Sequence, residues 1–294
     1  MDQALDQAWL HALRWVMTQP GLLQGLPGGS TPLLADADAR VDALIRATRD
    51  DPSGLLALLA GRRAHKVGLA YEALVQWGLE KGMGYRCLAW DVQVFEQKRT
   101  IGAMDLILQS PNGQTEHWEL AYKVYLQVGA DVGWENWVGP GQRDRLNTKV
   151  RRILDHQLPL SDRPEAAVPL AALGVDAVSR RRVLLQGVLF TQWGADACRA
   201  IQGSLPAQGR WLRPSQLDGF IAERPGSVWA ARHKPLWIGT WGGPTTQTQT
   251  AQQMRAAMKD EPLKWPHLWS CLGSGRQQSE EMIFVVPESW GCGP

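Results

Sequence analysis

The stretch HWELAYKVYL, His117 to Leu126, decides how this chain is read. Trp118, Leu120, Tyr122, Val124 and Leu126 fall at every second position, the period of a β-strand with one face toward a core. The other face takes His117, Glu119, Ala121, Lys123 and Tyr125, so an acid and a base share a face four residues apart. A surface ion pair on a half-exposed strand is one reading. One wall of a chemical site is the other.

The neighbouring segments favour the second reading. In IGAMDLILQS, from residue 101, Met104, Leu106 and Leu108 alternate with Asp105 and Ile107. SPNG, from residue 110, is a turn signal, so the two strands form a hairpin that makes Asp105 and Glu119 cross-strand neighbours. CLAWDVQVF, from residue 87, is a further strand. Before it, HKVGLAYEALVQWGLEKG reads as a helix with Leu69, Ala70, Ala73, Leu74 and Trp77 on its apolar face. Glu72, Gln76 and Glu80 line another face of that helix, and Gly82 and Gly84 end it.

After a Gly- and Trp-rich loop, RDRLNTKVRRILDHQL predicts a helix over 143–158. Its apolar stripe is Leu146, Val150, Ile153, Leu154 and Leu158, with a basic stripe of Arg145, Lys149, Arg152 and His156 beside it. RRVLLQGVLF, from residue 181, is a buried strand, and MIFVVPESW holds one more near the C-terminus. The order over 66–190 is helix, three strands, helix, strand, which predicts an α/β fold with a mixed sheet. We expect an N-terminal helical segment (1–60), a core (61–195) and a Trp-rich α+β extension packed on it (196–294).

Composition bounds the partners. The chain has 294 residues, 44% hydrophobic and 20% charged, with a formal net charge of +2, so nucleic-acid binding has to rest on local charge. Residues 1–60 carry seven Asp against four Arg, whereas 141–152 carry Arg143, Arg145, Lys149, Arg151 and Arg152 against Asp144. Such a basic stripe is either a solvated helix face or a phosphate-backbone contact. Arg62, Arg63 and Lys66 extend it. Cys87, Cys198, Cys271 and Cys292 show no metal-ligand spacing and read as free thiols of a reducing compartment. No run approaches the roughly 20 apolar residues of a membrane span. The N-terminus lacks the layout of a signal peptide, so a cytoplasmic location is expected. Eight of the 15 tryptophans follow residue 190, and the core reading is preferred for them. RHKPLWIGTW, from residue 232, interleaves base and aromatic in a way that also suits single strands.

Two carboxylates brought together repel unless a cation lies between them, and a hard divalent ion takes oxygen ligands. An acid pair beside a lysine suits phosphodiester hydrolysis. The helical Glu72, the strand Asp105 and the strand ELAYK resemble the PD-(D/E)XK nuclease superfamily. More closely, YEALVQW, IGAMDLIL, HWELAYK, GPGQRDRLNTK and LDHQLPLS resemble an uncharacterised bacterial domain family within it, as do RHKPLWIGTW and FVVPESW.

The resemblance implies a restriction-endonuclease-like core that binds Mg²⁺ or Mn²⁺ through Asp105, Glu119 and Glu72. It also implies DNA or RNA as the partner, bound by Arg143, Arg145, Lys149, Arg152 and His156. Gln76 and His117 would support the site. The pattern departs at Ala121, where the family lysine stands, and at Met104, where a proline stands. Lys123 keeps the parity of Glu119 and takes the lysine's role, about 6.6 Å beyond the usual position. The alternative is a nuclease-fold protein without catalysis that binds nucleic acid or a protein. The oligomeric state is not legible.

Overall fold

A computed structural model describes residues 3–28, 31–129, 133–195, 208–239, 248–259, 263–273 and 280–291. The chain is α/β with a large mixed sheet. The elements are, in chain order, α1 (Gln3–Thr18), α2 (Ala39–Asp50), α3 (Ser53–Gly61), α4 (Val67–Met83), β1 (Arg86–Glu96), β2 (Arg99–Gln109), β3 (Thr115–Gln127) and β4 (Trp137–Val138). There follow α5 (Leu146–Arg152), α6 (Ala167–Ala172), β5 (Arg180–Gln192), β6 (Gly209–Leu212), α7 (Leu217–Ala222), β7 (Val228–Arg232), β8 (Gln249–Thr250), α8 (Ala251–Lys259), β9 (His267–Leu272) and β10 (Glu280–Val285). Over this stretch the order is α4, β1–β3, the two-residue β4, α5, α6 and β5, so the expected helix, three strands, helix, strand appears with β4 and α6 interposed.

Two compact units emerge, each assembled from separated stretches of chain. One comprises Leu13–Tyr122 and Asn147–Gln186, the other Met1–Ala12, Lys123–Leu146 and Gly187–Pro294. In the first unit, β1 and β2 form an antiparallel hairpin closed at Gln97 and Lys98, where Gln97 takes a positive φ of 54°. β2 and β3 form the predicted hairpin around SPNG, and Gly113 N–H closes its turn on the Ser110 carbonyl at 2.9 Å. One apolar cluster joins Val94, Met104 and Ile107 of the hairpins to Leu160, Ala166, Leu170 and Val175 of the connection after α5.

On α4, Ala70, Tyr71, Ala73 and Leu74 are buried, and the Tyr71 hydroxyl donates to Gln186 Oε1 at 2.9 Å. A Cβ at Gly78 would lie 2.2 Å from Met17 Sδ, so glycine is what lets α1 close on α4. Gly84 ends the helix in the left-handed conformation and donates its N–H to the Leu79 carbonyl, as its position after the periodic run predicts.

Two expectations need correction. The helix predicted over 143–158 is shorter. α5 stops at Arg152, and the chain tightens through a π-turn over Ile153–Gln157 and a 3₁₀ turn over Leu158–Asp162. Pro159, with no N–H, prevents a regular continuation. The surface ion-pair alternative for Glu119 and Lys123 falls as well. His117 is 0% and Glu119 1% exposed, because β3 is an inner strand covered on both faces.

In the second unit, β6 pairs in parallel with β5 and β10, while β9 pairs antiparallel with β10 and β7. Trp229 and Trp269 pack with Phe220, Met254 and Ile283, so the core reading holds for them, as it does for buried Trp211 and Trp290. Trp265 is the exception at 71% exposure. Trp241, Cys198 and Cys292 lie outside the described residues, while Cys87 and Cys271 are free thiols. Arg232 of the interleaved basic segment is buried against Glu280 at 3.5 Å, which makes it an internal strut. Among the described residues no helix is long and apolar enough to cross a membrane.

Candidate functional site

The β2–β3 ladder runs from Gln109↔Thr115 to Leu106↔Trp118 and goes no further. One residue on, Asp105 Oδ2 accepts the backbone N–H of Leu120 at 2.8 Å, so a side chain takes the place of a ladder carbonyl. The strands part there, and the carboxyl groups of Asp105 and Glu119 meet across the gap as the hairpin register predicts.

Glu119 is held on both oxygens. Oε1 lies 2.9 Å from His117 Nε2, and Oε2 accepts from Gln157 Nε2 at 2.7 Å. His117 is fixed in turn by Ser161 Oγ, 3.1 Å from Nδ1. Burial pushes the imidazole down to about 4, so it is neutral at pH 7. It lies between Glu119 and Ser161 and contacts both.

Glu72, on α4, faces the same region. Its Oε2 lies 3.3 Å from Arg62 Nη1, and Arg62 also donates to Gln76 Oε1. Gln76 Nε2 reaches Glu80 Oε2 at 3.3 Å, and Glu80 Oε1 accepts the Cys87 N–H at 3.1 Å. Gln76 is therefore a link between Arg62 and Glu80 rather than a solvated residue.

Three carboxyls in one buried region perturb each other. Burial, then the charge of Asp105, raises Glu72 to about 7, against the pull of Arg62. Burial, then the charge of Glu119, raises Asp105 to about 7, against the Leu120 N–H and the ammonium of Lys149. Burial raises Glu119 to about 7 as well, with Lys149 the foremost opposing influence and Arg152 a lesser one. Burial is the largest cause for all three, so each carboxyl is held partly protonated near neutral pH.

The basic residues separate into different roles. Lys149 Nζ donates to Gln157 Oε1 at 3.1 Å, next to the amide that holds Glu119. His156 Nε2 pairs with the Ile101 carbonyl at 2.9 Å, and Arg145 donates to the Glu135 carbonyl at 3.0 Å. Arg143 is exposed. Lys123 Nζ pairs with Asp144 Oδ2 at 2.5 Å, and the Tyr125 hydroxyl donates to Asp144 Oδ1 at 3.4 Å. Lys123 is thus committed to an acid of the second unit, while Lys149 is the lysine that faces Asp105 and Glu119 electrostatically.

Sequence reasoning missed Arg62 and Gln157 as site residues. Arg62 was read as part of a basic patch, but it is 4% exposed and backs Glu72, unlike exposed Arg63 beside it. Nothing in the pattern marks Gln157, since its role depends on the π-turn. The cleft of about 440 Å³ between α2 and α4, lined by Arg40, Thr48, Trp77 and Lys81, contains none of the three carboxyls. Among the described residues no group of three or more His, Cys, Asp and Glu side chains is gathered tightly enough to hold a metal unaided. Asp105 and Glu119 offer oxygen donors, the kind a hard cation takes.

The family model described as Domain of unknown function (DUF1853) matches residues 11–286, and the chain belongs to that family. No curated protein matches it. No solved structure matches it either.

Proposed function

We propose that this member of the DUF1853 family is a metal-dependent phosphodiester hydrolase acting on DNA or RNA, built on a PD-(D/E)XK-type core. The observation that carries the reading is the gathering of Glu72, Asp105 and Glu119 in one buried region where the β2–β3 ladder stops, with Asp105 taking the Leu120 N–H. Burial raises all three to about 7, and perturbed carboxyls gathered in this way mark a functional-site candidate. The order α4, β1–β3, α5, β5 and the parting of β2 from β3 at Asp105 support the same core.

In this reading Asp105 and Glu119 hold Mg²⁺ or Mn²⁺, with Glu72 as an outer acid. Such a cation supplies Lewis acidity toward phosphate and makes water easier to deprotonate. The chain's own residues do the rest. His117 and Gln157 fix the Glu119 carboxylate in one orientation, and the Leu120 N–H does the same for Asp105. Lys149 stabilises charge growing on the phosphate, the role that the sequence pattern gave to Lys123. Arg152 contributes to backbone binding.

Incubation with labelled single-stranded and duplex DNA and RNA, with Mg²⁺, Mn²⁺ or EDTA, tests this. Cleavage should require the metal and disappear in Asp105→Asn and Glu119→Gln. Turnover that survives both substitutions refutes it.

A further inference from the structure

Trp90 stands apart from the other tryptophans near this site. It lies on β1 opposite Leu106, the residue after Asp105, and is 44% exposed. The Arg62 guanidinium sits 4.7 Å from its ring centroid. That arginine is not a surface group resting on a surface ring, since its side chain is 1% exposed. Its Nη atoms are turned to Glu72 and Gln76, and its Nε is buried with no hydrogen-bond partner.

Burying a guanidinium is expensive, and half-pairing it more so. Here the charge sits against an aromatic ring that is 44% exposed, and the same group holds Glu72 of the proposed site. By register Trp90 shares the face of Leu106, so its link to the carboxyls runs through Arg62 and Glu72.

We propose that Trp90 is a stacking platform for an unpaired nucleobase, so that single-stranded nucleic acid is the ligand class of the carboxyl site. This rests on the hydrolase reading for its chemistry, but its binding claim stands independently. A base in a duplex already has both faces stacked and cannot lie on Trp90, whereas an unpaired base presents a free face. Such stacking tolerates any base, since every base has a π-face. Lys149 and Arg152, whose charges act on Glu119, are the cations nearest the site for the phosphates of such a strand.

The test is equilibrium binding at pH 6.5 with EDTA, where turnover is absent. Fluorescein-labelled 12-nucleotide DNA and RNA strands, their duplexes and a fully abasic strand are titrated with wild type, Trp90→Ala and Trp90→Phe. Thermal melting checks the fold of each variant. Single strands should bind at least tenfold more tightly than duplexes. Trp90→Ala should lose about tenfold to a hundredfold on the normal strand, Trp90→Phe much less, and neither should change binding of the abasic strand. Equal binding by wild type and Trp90→Ala overturns the proposal. So does a loss that persists on the abasic strand, or a duplex bound as well as its single strands. If the binding pattern appears but Mg²⁺ elicits no cleavage, the platform stands and the hydrolase reading falls. Cleavage with binding indifferent to Trp90 gives the reverse.

Discussion

Asp105 Oδ2 accepts the backbone N–H of Leu120 at 2.8 Å, just past the last rung of the β2–β3 ladder. One side chain thus serves both the fold and the proposed chemistry, and substitution can separate the two. Asp105→Ala leaves the N–H of buried Leu120 unpaired, at roughly 1–3 kcal/mol. Asp105→Asn keeps a carbonyl acceptor and removes a buried charge. Urea denaturation at pH 8 should therefore rank Asn equal to or above wild type and Ala below both. Equal loss in both variants would mean that the charge, not the acceptor, holds the strands.

The raised carboxyls make stability fall with pH. Between the ordinary carboxylate range near 4 and about 7, the folded protein binds protons at Glu72, Asp105 and Glu119 that the unfolded chain has released. The stability from these groups is complete below pH 4 and is lost as pH rises through 7. Melting temperature, once the other carboxylates are ionised, should drop by several degrees from pH 5.5 to pH 8. Glu119→Gln should flatten that drop. Under the metal-binding reading, Mg²⁺ should restore stability at pH 8 and have little effect at pH 5.5. A melting curve indifferent to Mg²⁺ at pH 8 contradicts metal uptake.

In the second unit, a Cβ at Gly187 would lie 1.8 Å from the carbonyl oxygen of Lys123. The clash is with backbone, so no rotamer change relieves it. Gly187→Ala should destabilise by roughly 3 kcal/mol, at the upper end for overpacking, and should do so at any pH. Gly61→Ala is the control, because nothing lies within 4 Å of a Cβ there and the residue ends α3. It should be neutral or slightly stabilising. Similar melting temperatures for the two variants would show that β3 and β5 can move apart at this point.

The hairpins and α4 were legible because their signals are local. Period-two alternation in 117–126, the SPNG turn and the glycines after residue 81 each depend on neighbours within a few residues. The meeting of Asp105 with Glu119 followed from hairpin register, again a short-range matter. What escaped depends on contacts that close through the fold. Alternation cannot distinguish water from a layer of buried polar groups, so it left open the surface-pair reading that the burial of Glu119 removes. Arg62 and Arg63 are identical letters, and only packing turns one inward. The basic stripe looked uniform because its spacing is helical, yet α5 ends within it and its members face different partners.

That last failure bears on which lysine acts. Lys123 stands on the strand that carries Glu119, two residues beyond the usual place, and its ammonium is paired with Asp144. Lys149 comes from a helix distant in sequence, and its charge is felt by both Asp105 and Glu119. The two can be told apart by a split between activity and stability. Lys149→Met should lower metal-dependent cleavage by about 10²-fold or more, the scale for removing one preorganised charge from a transition state. It should also push the carboxyls further up, moving the acid limb, where cleavage rises with pH, to higher pH. Lys123→Met leaves a half-exposed Asp144 without its partner and should lower the melting temperature by a few degrees while turnover persists. If Lys123→Met abolishes cleavage in a fully folded protein and Lys149→Met does not, the strand lysine is the functional one and the helix lysine merely balances charge.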